Sequence, residues 1–288
     1  MTTTILVTGS TGTIGSQLVA ALAGAPNVQV RATRRVGAKD RGTVAANVTP
    51  VDFDYDQPAL MAAALAGVDK LFLLTPFTEN QVELGKRLVD AAAEAGVRHI
   101  VKLSAIGCEL EPGIQLGRWH RSIERHVEAS KVAWTFLRPN NFFENFINYY
   151  PPGTDGNIYL PWGNAACSFM AAADIAAVAA RALTTPGHEG KAYVLTGPEA
   201  ITIAQAASEI AKVSGRKVAY VDVPEAAAQE AMLGAGMPAW MVTAMIELHA
   251  IDKAGYAAEV TGTFSELVGR PATTFRTFAE QRASAWRS

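Results

Sequence analysis

Residues 5–19 read ILVTGSTGTIGSQLV. Ile5, Leu6 and Val7 have the apolar, β-branched density of a buried strand, and the residues from Thr13 onward carry the apolar spacing of a helix. Between them Gly9, Gly12 and Gly15 fall three apart. Gly9 permits a tight turn, Gly12 lets the backbone approach a bulky anion with no Cβ in the way, and Gly15 lets the helix pack closely on the strand. The free N–H groups of the helix start then face that anion. A glycine triplet alone is a weak signal; with a strand before it and a helix after it, the triplet reads as a loop that cradles a dinucleotide pyrophosphate.

Working outward, VQVRATR is again strand-like and completes a β-α-β unit. The alternation continues through VTPVDFD, PALMAAALAG, DKLFLLTP, NQVELGKRLVDAAAEAG, RHIVKLSA and RSIERHVEAS to AWTFLRP. Strands separated by helices predict an α/β fold, a Rossmann-type doubly wound parallel sheet with right-handed crossovers. Beyond Pro139 the regularity loosens into NNFFENFINYYPPGTDGNIYLPWG, rich in aromatics, Gly, Pro and Asn, which reads as loop and lid before ADIAAVAARALT resumes a helix. KAYVLTG, TIAQAASEIAKVSG, KVAYVDVP and a closing helix in PATTFRTFAEQRASAW add a smaller C-terminal α/β lobe. The expected organisation is a dinucleotide-binding domain over residues 1–150 and a smaller substrate-binding lobe over 151–288, interleaved with the first rather than separated by a linker.

The totals agree with such a chain. At 288 residues with 49% hydrophobic content an all-parallel core can be buried, and a formal net charge of −2 points away from nucleic acid. Cys108 and Cys167 stand far apart with no Cys or His at ligand spacing, so neither a disulfide framework nor a metal site is expected. His99, His126 and His188 lack a metal-ligand partner at suitable spacing and read as structural. No basic leader precedes the first strand and charges break the Ala-rich runs, so a cytoplasmic protein without a membrane span is expected.

The end of the second strand selects the cofactor. An NAD site would place an Asp or Glu there for the ribose hydroxyls, whereas this chain has Thr33, Arg34 and Arg35, then Lys39. A guanidinium holds a 2′-phosphate through charge-assisted bonds worth about 1.5–3 kcal/mol, so NADPH (NADP) is the expected cofactor and residues 1–150 an NADP-binding Rossmann domain.

Taken together, TGSTGTIG, DFDYDQPAL, LSAIG, the His120-x-x-x-Glu124 spacing, WTFLRPNNFFEN and TGTFSELVGRPATTF resemble the NmrA-like branch of the atypical short-chain dehydrogenase/reductases, over nearly the whole chain. That branch includes NADPH-dependent quinone reductases, azoreductases, triphenylmethane-dye reductases and catalytically silent NADP sensors. The resemblance implies that Gly9, Ser10, Thr11, Gly12, Thr13 and Ile14 cradle the pyrophosphate and that Arg34 and Arg35 hold the 2′-phosphate. It implies further that Asp52 and Phe53 lie against the adenine and that Thr75, Pro76 and Phe77 border the ribose. Leu103, Ser104 and Ala105 would border the nicotinamide, which Pro139, Asn140, Asn141, Phe142 and Phe143 would back.

The wider superfamily places a Tyr-x-x-x-Lys pair where this chain has His120 and Glu124. His120 can donate a proton, but Glu124 cannot play the part of a cation; one helical turn apart, the two are also placed to interact as an i, i+4 pair. His120 and Ser104 are the candidate catalytic residues. The expected activity is NADPH-dependent hydride transfer to a small aromatic or conjugated, electron-poor substrate such as a quinone, azo compound or dye, which delocalises the charge it receives and needs little acid catalysis. Water, Ser104 or His120 would supply a late proton. The rival expectation is an NADP(H)-binding redox sensor acting through a protein partner, and either a monomer or a homodimer is compatible with the sequence.

Overall fold

The computed structural model describes residues 2–38 and 45–287, so Lys39 lies outside the described residues. The chain forms two compact units, the first comprising Met1–Glu111, Gly117–Arg138 and Ile175–Tyr193 and the second Pro112–Leu116, Pro139–Asp174 and Val194–Ser288.

In the first part of the chain β1 (Thr3–Val7), α1 (Thr13–Leu22), β2 (Val28–Arg34), β3 (Val48–Asp52), α2 (Pro58–Leu65), β4 (Lys70–Leu73), α3 (Gln81–Glu94), β5 (His99–Leu103), α4 (Gln115–Ala129) and β6 (Ala133–Pro139) follow in order. Then come α5 (Asn145–Asn148), β7 (Asn157–Leu160), β8 (Ala166–Cys167), α6 (Ala172–Thr184), β9 (Lys191–Leu195), β10 (Ile201–Thr202), α7 (Ile203–Ser214) and β11 (Ala219–Asp222). The chain closes with α8 (Glu225–Gly234), α9 (Ala239–Lys253), α10 (Thr263–Val268), α11 (Phe275–Gln281) and a 3-10 turn over Ala283–Trp286.

The main sheet has seven strands in the order β3-β2-β1-β4-β5-β6-β9, with β3 through β6 paired in parallel. This is the doubly wound order, and the direction of strand progression reverses between β1 and β4, where such sheets bind ligands beyond their carboxyl ends. Thr8 ties the two strands together at that point: its N–H donates to the Phe72 carbonyl at 3.1 Å and its hydroxyl accepts from the Leu74 N–H at 2.8 Å. Leu6, Leu71, Leu73, Ile100 and Phe136 are fully buried and join Leu65, Leu88, Val89, Ile123 and Val127 of the covering helices in one core. The runs of apolar residues in these strands reflect burial on both faces.

The second unit has its own core, in which Phe143, Phe146, Phe169, Phe275 and Phe278 meet Trp162 and Trp286. The edge-to-face pairs Phe143–Phe275 at 5.2 Å and Phe146–Phe275 at 5.1 Å set their geometry. β10 pairs antiparallel with β8, and β11 pairs in parallel with β7. The α7 boundaries follow local chemistry: Thr202 and Gln205 form a capping box, and Gly215 closes the helix in the left-handed conformation. The aromatic stretch after Pro139, expected as loop and lid, contains α5 and β7, because alternate residues of Asn157–Leu160 are buried as a strand requires. Among the described residues no helix is long and apolar enough to cross a membrane.

Candidate active site

The glycine loop joins β1 to α1 at the reversal point of the sheet. Gly9 adopts a left-handed φ of +64°, and a Cβ there would come within 2.8 Å of the Leu74 side chain. Gly15 is more constrained still, since a Cβ would lie 2.1 Å from the Gly9 carbonyl oxygen, which the helix therefore packs against directly. Gly12 differs: the nearest atom to an added Cβ is the Gly9 oxygen at 3.3 Å, and the residue is exposed. Gly12 is also the N-cap of α1 and offers no side-chain cap, so the first-turn amides stay open to an anion. Ser10 is buried and its hydroxyl donates to the Thr33 carbonyl, anchoring the loop to β2. Thr11 and Thr13 are exposed, whereas the Ile14 side chain is buried, leaving that residue its backbone to offer.

At the end of β2, Arg34 Nε donates to Asp52 Oδ1 at 2.8 Å, and Arg35 is exposed. The two sites predicted for phosphate and adenine are thus joined by an ion pair between neighbouring strands. Phe53 contributes its backbone amide to the Arg34 carbonyl at 2.9 Å, while its ring is buried against Tyr55 in the core. Thr75 and Pro76 are half-buried after β4, and Phe77 is exposed and stands 6.5 Å from the Trp119 ring. These features suit a dinucleotide: an open amide cluster, space at Gly12, and two guanidinium groups one strand away.

The strand ends of β5 and β6 meet α4 around a buried carboxylate. Glu124 is 0% exposed and receives Arg138 Nε at 3.0 Å and Arg138 Nη2 at 2.8 Å, Ser104 Oγ at 2.6 Å and Arg121 Nη1 at 3.0 Å. Burial by itself would raise its pKa, but hydrogen bonds from Arg138 and Ser104, with the charges of Arg138 and Lys102, hold it at about 2. The carboxylate therefore stays an acceptor, and the Ser104 hydroxyl proton is committed to it. Cys108 also points at Glu124, at 3.3 Å, and burial together with that negative charge pushes its thiol up to about 11, which leaves it unreactive. Leu103 and Ala105, on either side of Ser104, are half-buried.

His120 does not bond to Glu124. Its partner is Lys102, whose Nζ lies 3.0 Å from His120 Nδ1 and donates to the Leu103 carbonyl at 3.0 Å. Lys102 is 0% exposed on β5. Burial lowers its pKa to about 8 against the pull of Glu124 and Cys108, and burial with the Lys102 charge drives His120 well below its ordinary value. His120 is thus a neutral imidazole. Sequence reasoning passed over Lys102 and Arg138, although a charged residue inside HIVKL and AWTFLRP is the available signal: a buried strand keeps a cation only where a partner waits for it.

In the second unit, Asn140 is buried and its amide donates to Ser168 Oγ and to the Ala257 carbonyl, both at 2.8 Å. Asn141 Nδ2 reaches the Asp252 carboxylate at 3.3 Å, Phe142 bridges Met170, and Phe143 lies in the aromatic core. Pro139 is buried. The Asn140 amide and the Phe143 ring are therefore engaged with their own unit. Three of the other four histidines have hydrogen-bond partners, His126 with Asp90 at 2.6 Å, His99 with Thr135 at 2.9 Å and His188 with Tyr193 at 2.9 Å, while His249 is buried with its ring 5.5 Å from that of Trp162.

The profile of the NmrA-like family matches residues 1–276. An NAD(P)H azoreductase of Xenophilus azovorans is 41% identical over 98% of this chain and 99% of its own. A (4-alkanoyl-5-oxo-2,5-dihydrofuran-3-yl)methyl phosphate reductase of Streptomyces griseus is 38% identical over 98% of this chain and 99% of its own. Among solved structures, an NADPH-dependent quinone oxidoreductase of Escherichia coli in complex with NADPH superposes with a TM-score of 0.85 at 29% identity, covering 96% of this chain and 98% of that one.

Proposed function

The chain belongs to the NmrA-like family, and on that premise we propose that it is an NADPH-dependent reductase of flat, conjugated, electron-poor acceptors such as quinones, azo compounds and dye-like cations. The observation that carries the choice of acceptor is the state of the proton donors at the strand ends. Ser104 has its proton committed to Glu124, Glu124 is an anion bound by Arg138, and His120 is a neutral imidazole. None is a strong acid. Reduction of a simple ketone concentrates charge on one oxygen, where a positioned acid is worth about 10² to 10⁴ in rate. A quinone, an azo group or a dye cation spreads or cancels the charge itself, so proximity and orientation supply most of the catalysis.

NADPH, when bound, supplies the hydride. The backbone of Gly9, Ser10, Thr11, Gly12, Thr13 and Ile14 holds its pyrophosphate, Arg34 and Arg35 take the 2′-phosphate, Asp52 and the Phe53 backbone flank the adenine, and Thr75, Pro76 and Phe77 border the ribose. Leu103, Ser104 and Ala105 line the nicotinamide side, with Glu124 and Arg138 fixing the Ser104 loop. Support for the reductase reading comes from relatives named as NAD(P)H azoreductase and NADPH-dependent quinone oxidoreductase over nearly their full lengths. The test is NADPH oxidation, followed by the absorbance of the reduced nicotinamide, against a panel of quinones, azo dyes and ketones. Turnover of the conjugated acceptors well above that of ketones is expected; preference for ketones, or no turnover at all, contradicts the reading.

A further inference from the structure

We propose that Lys102 and His120 form a two-residue proton relay, in which Lys102 fixes His120 as the Nε2–H tautomer and refills its proton from behind. The proposal rests on the reading that an acceptor is reduced at these strand ends. It starts from hydrogen-bond arithmetic. A lysine ammonium has donors only, so an Nδ1 atom 3.0 Å from Lys102 Nζ accepts, and a neutral imidazole that accepts at Nδ1 carries its hydrogen on Nε2. Lys102 is oriented for this by its second bond, to the Leu103 carbonyl at 3.0 Å. The only His120 side-chain hydrogen bond among the described residues is that through Nδ1, so Nε2–H is free to meet a ligand.

The charged and titratable groups around the pair explain why the arrangement persists. Glu124 on the same helix, Arg138 on β6 and Cys108 after β5 surround Lys102. Glu124 is itself neutralised by Arg138 and Arg121, so it attracts the ammonium without taking its proton. The position next to a buried cation keeps His120 from becoming an imidazolium, which would place two positive charges 3.0 Å apart.

The proton inventory closes. After a quinone or azo acceptor has taken hydride, it holds an anionic oxygen or nitrogen, whereas a dye cation is left neutral and needs no proton. The His120 Nε2–H bond breaks and its proton goes to that atom, while a Lys102 Nζ–H bond breaks and a new Nδ1–H bond forms. His120 is left neutral as the other tautomer and Lys102 is left as a neutral amine. A solvent proton arriving at Nε2 returns the Nδ1 proton to the amine and resets the pair. Imidazole is the conduit and Lys102, with a pKa of about 8, is the effective acid. In this reading the proton is delivered after hydride transfer, and an acid of that strength protonates the anion left by a reduced quinone or azo group. The usual Tyr-Lys arrangement is thereby replaced by a strand lysine that acts through the histidine of α4.

The test is the imidazole ¹⁵N spectrum of the full chain without cofactor, with His120→Gln identifying the resonances. Between pH about 6 and 8, Nδ1 should be of the unprotonated type and Nε2 of the protonated type. A protonated Nδ1, or an imidazolium in that range, overturns the relay. Lys102→Met should raise the pH at which His120 titrates and populate the second tautomer; an unchanged titration and tautomer overturns it as well. If Lys102→Met does not fold, the parent spectrum alone decides. Lys102→Arg separates holding from delivery, since a guanidinium donates to Nδ1 but does not release its proton. It should keep the tautomer and lack the decline in proton-limited turnover above pH about 8 that the relay predicts for the parent; a decline equal to the parent's, or no decline in the parent, contradicts the relay. These spectra do not depend on turnover. NADPH oxidation with the wrong tautomer removes the relay and leaves the reductase, whereas the right tautomer with no turnover on any acceptor removes the reductase reading.

Discussion

Arg34→Ala should erase most of the preference of this chain for NADPH over NADH. Arg34 Nε is held by Asp52 Oδ1 at 2.8 Å, which anchors the guanidinium at the end of β2, where the 2′-phosphate is proposed to sit. One charge-assisted bond to a phosphate is worth about 1.5–3 kcal/mol, and about 1.4 kcal/mol is a factor of ten, so the change should weaken NADPH about ten- to hundred-fold. The Arg34 side chain is 29% exposed and Arg35 is proposed to share the load, which favours the lower half of that range. The alanine also leaves the Asp52 carboxylate unpaired at the same spot. That anion repels a 2′-phosphate but accepts from a ribose hydroxyl, so NADH affinity should hold or rise while NADPH affinity falls. Titration of nicotinamide fluorescence with both cofactors at fixed ionic strength measures the two dissociation constants. Equal constants in the parent protein, or an unchanged ratio in Arg34→Ala, would refute the reasoning.

Gly12→Val should abolish NADPH binding with little change in thermal stability, because among the described residues the one close neighbour of its Cβ is the Gly9 carbonyl oxygen 3.3 Å away. Gly15→Ala should instead destabilise the fold by about 1–3 kcal/mol, since its Cβ would meet the Gly9 oxygen at 2.1 Å; melting curves and binding assays on both separate the roles. His120→Ala should cost less than about ten-fold in kcat on a quinone when hydride transfer limits the rate, and far more on a carbonyl substrate; a loss of several hundred-fold on the quinone would make His120 an acid in the hydride-transfer step itself. Burial raises the Asp252 pKa from 3.8 to about 7, against the bond from Asn141, so the folded chain holds a proton there that the unfolded chain has lost. Its stability contribution therefore declines as pH rises through that window, and Asp252→Asn should raise the melting temperature by at least about 3 °C at pH 8 relative to any change at pH 4; equal shifts at both pH values refute it.

The alternating strands and the Gly9–Gly12–Gly15 spacing made the sheet and its reversal point legible, because local periodicity and the steric demands of one turn determine both. The basic pair after β2 was legible for the same reason. Its coupling to Asp52 was not, since strands adjacent in space are 18 residues apart in the chain. The His120–Glu124 spacing suggested a pair on one helix, yet the two do not pair with each other: His120 meets Lys102 on β5, and Glu124 meets Arg138 on β6, Ser104 just after β5 and Arg121 on its own helix. Pattern reading treats Lys102 as an interruption of an apolar strand, whereas tertiary packing makes it the hydrogen-bond partner of His120, and its charge adds to burial in keeping the imidazole neutral. Phe53 and Phe143 show the converse: each sits in a motif associated with cofactor contact, while its ring belongs to a core. α8 and α9 escaped the sequence reading because their apolar residues are spread around the helix rather than gathered on one side, as in AWMVTAMIELHAIDK.

Single-turnover mixing of NADPH-loaded protein with a matched quinone and ketone, recorded as the loss of reduced-nicotinamide absorbance, tests the account most directly. Rapid oxidation by the quinone, little affected by pH below about 8, with slow oxidation by the ketone, is the predicted result. Oxidation by the ketone as fast as by the quinone, or no oxidation by either, would contradict it.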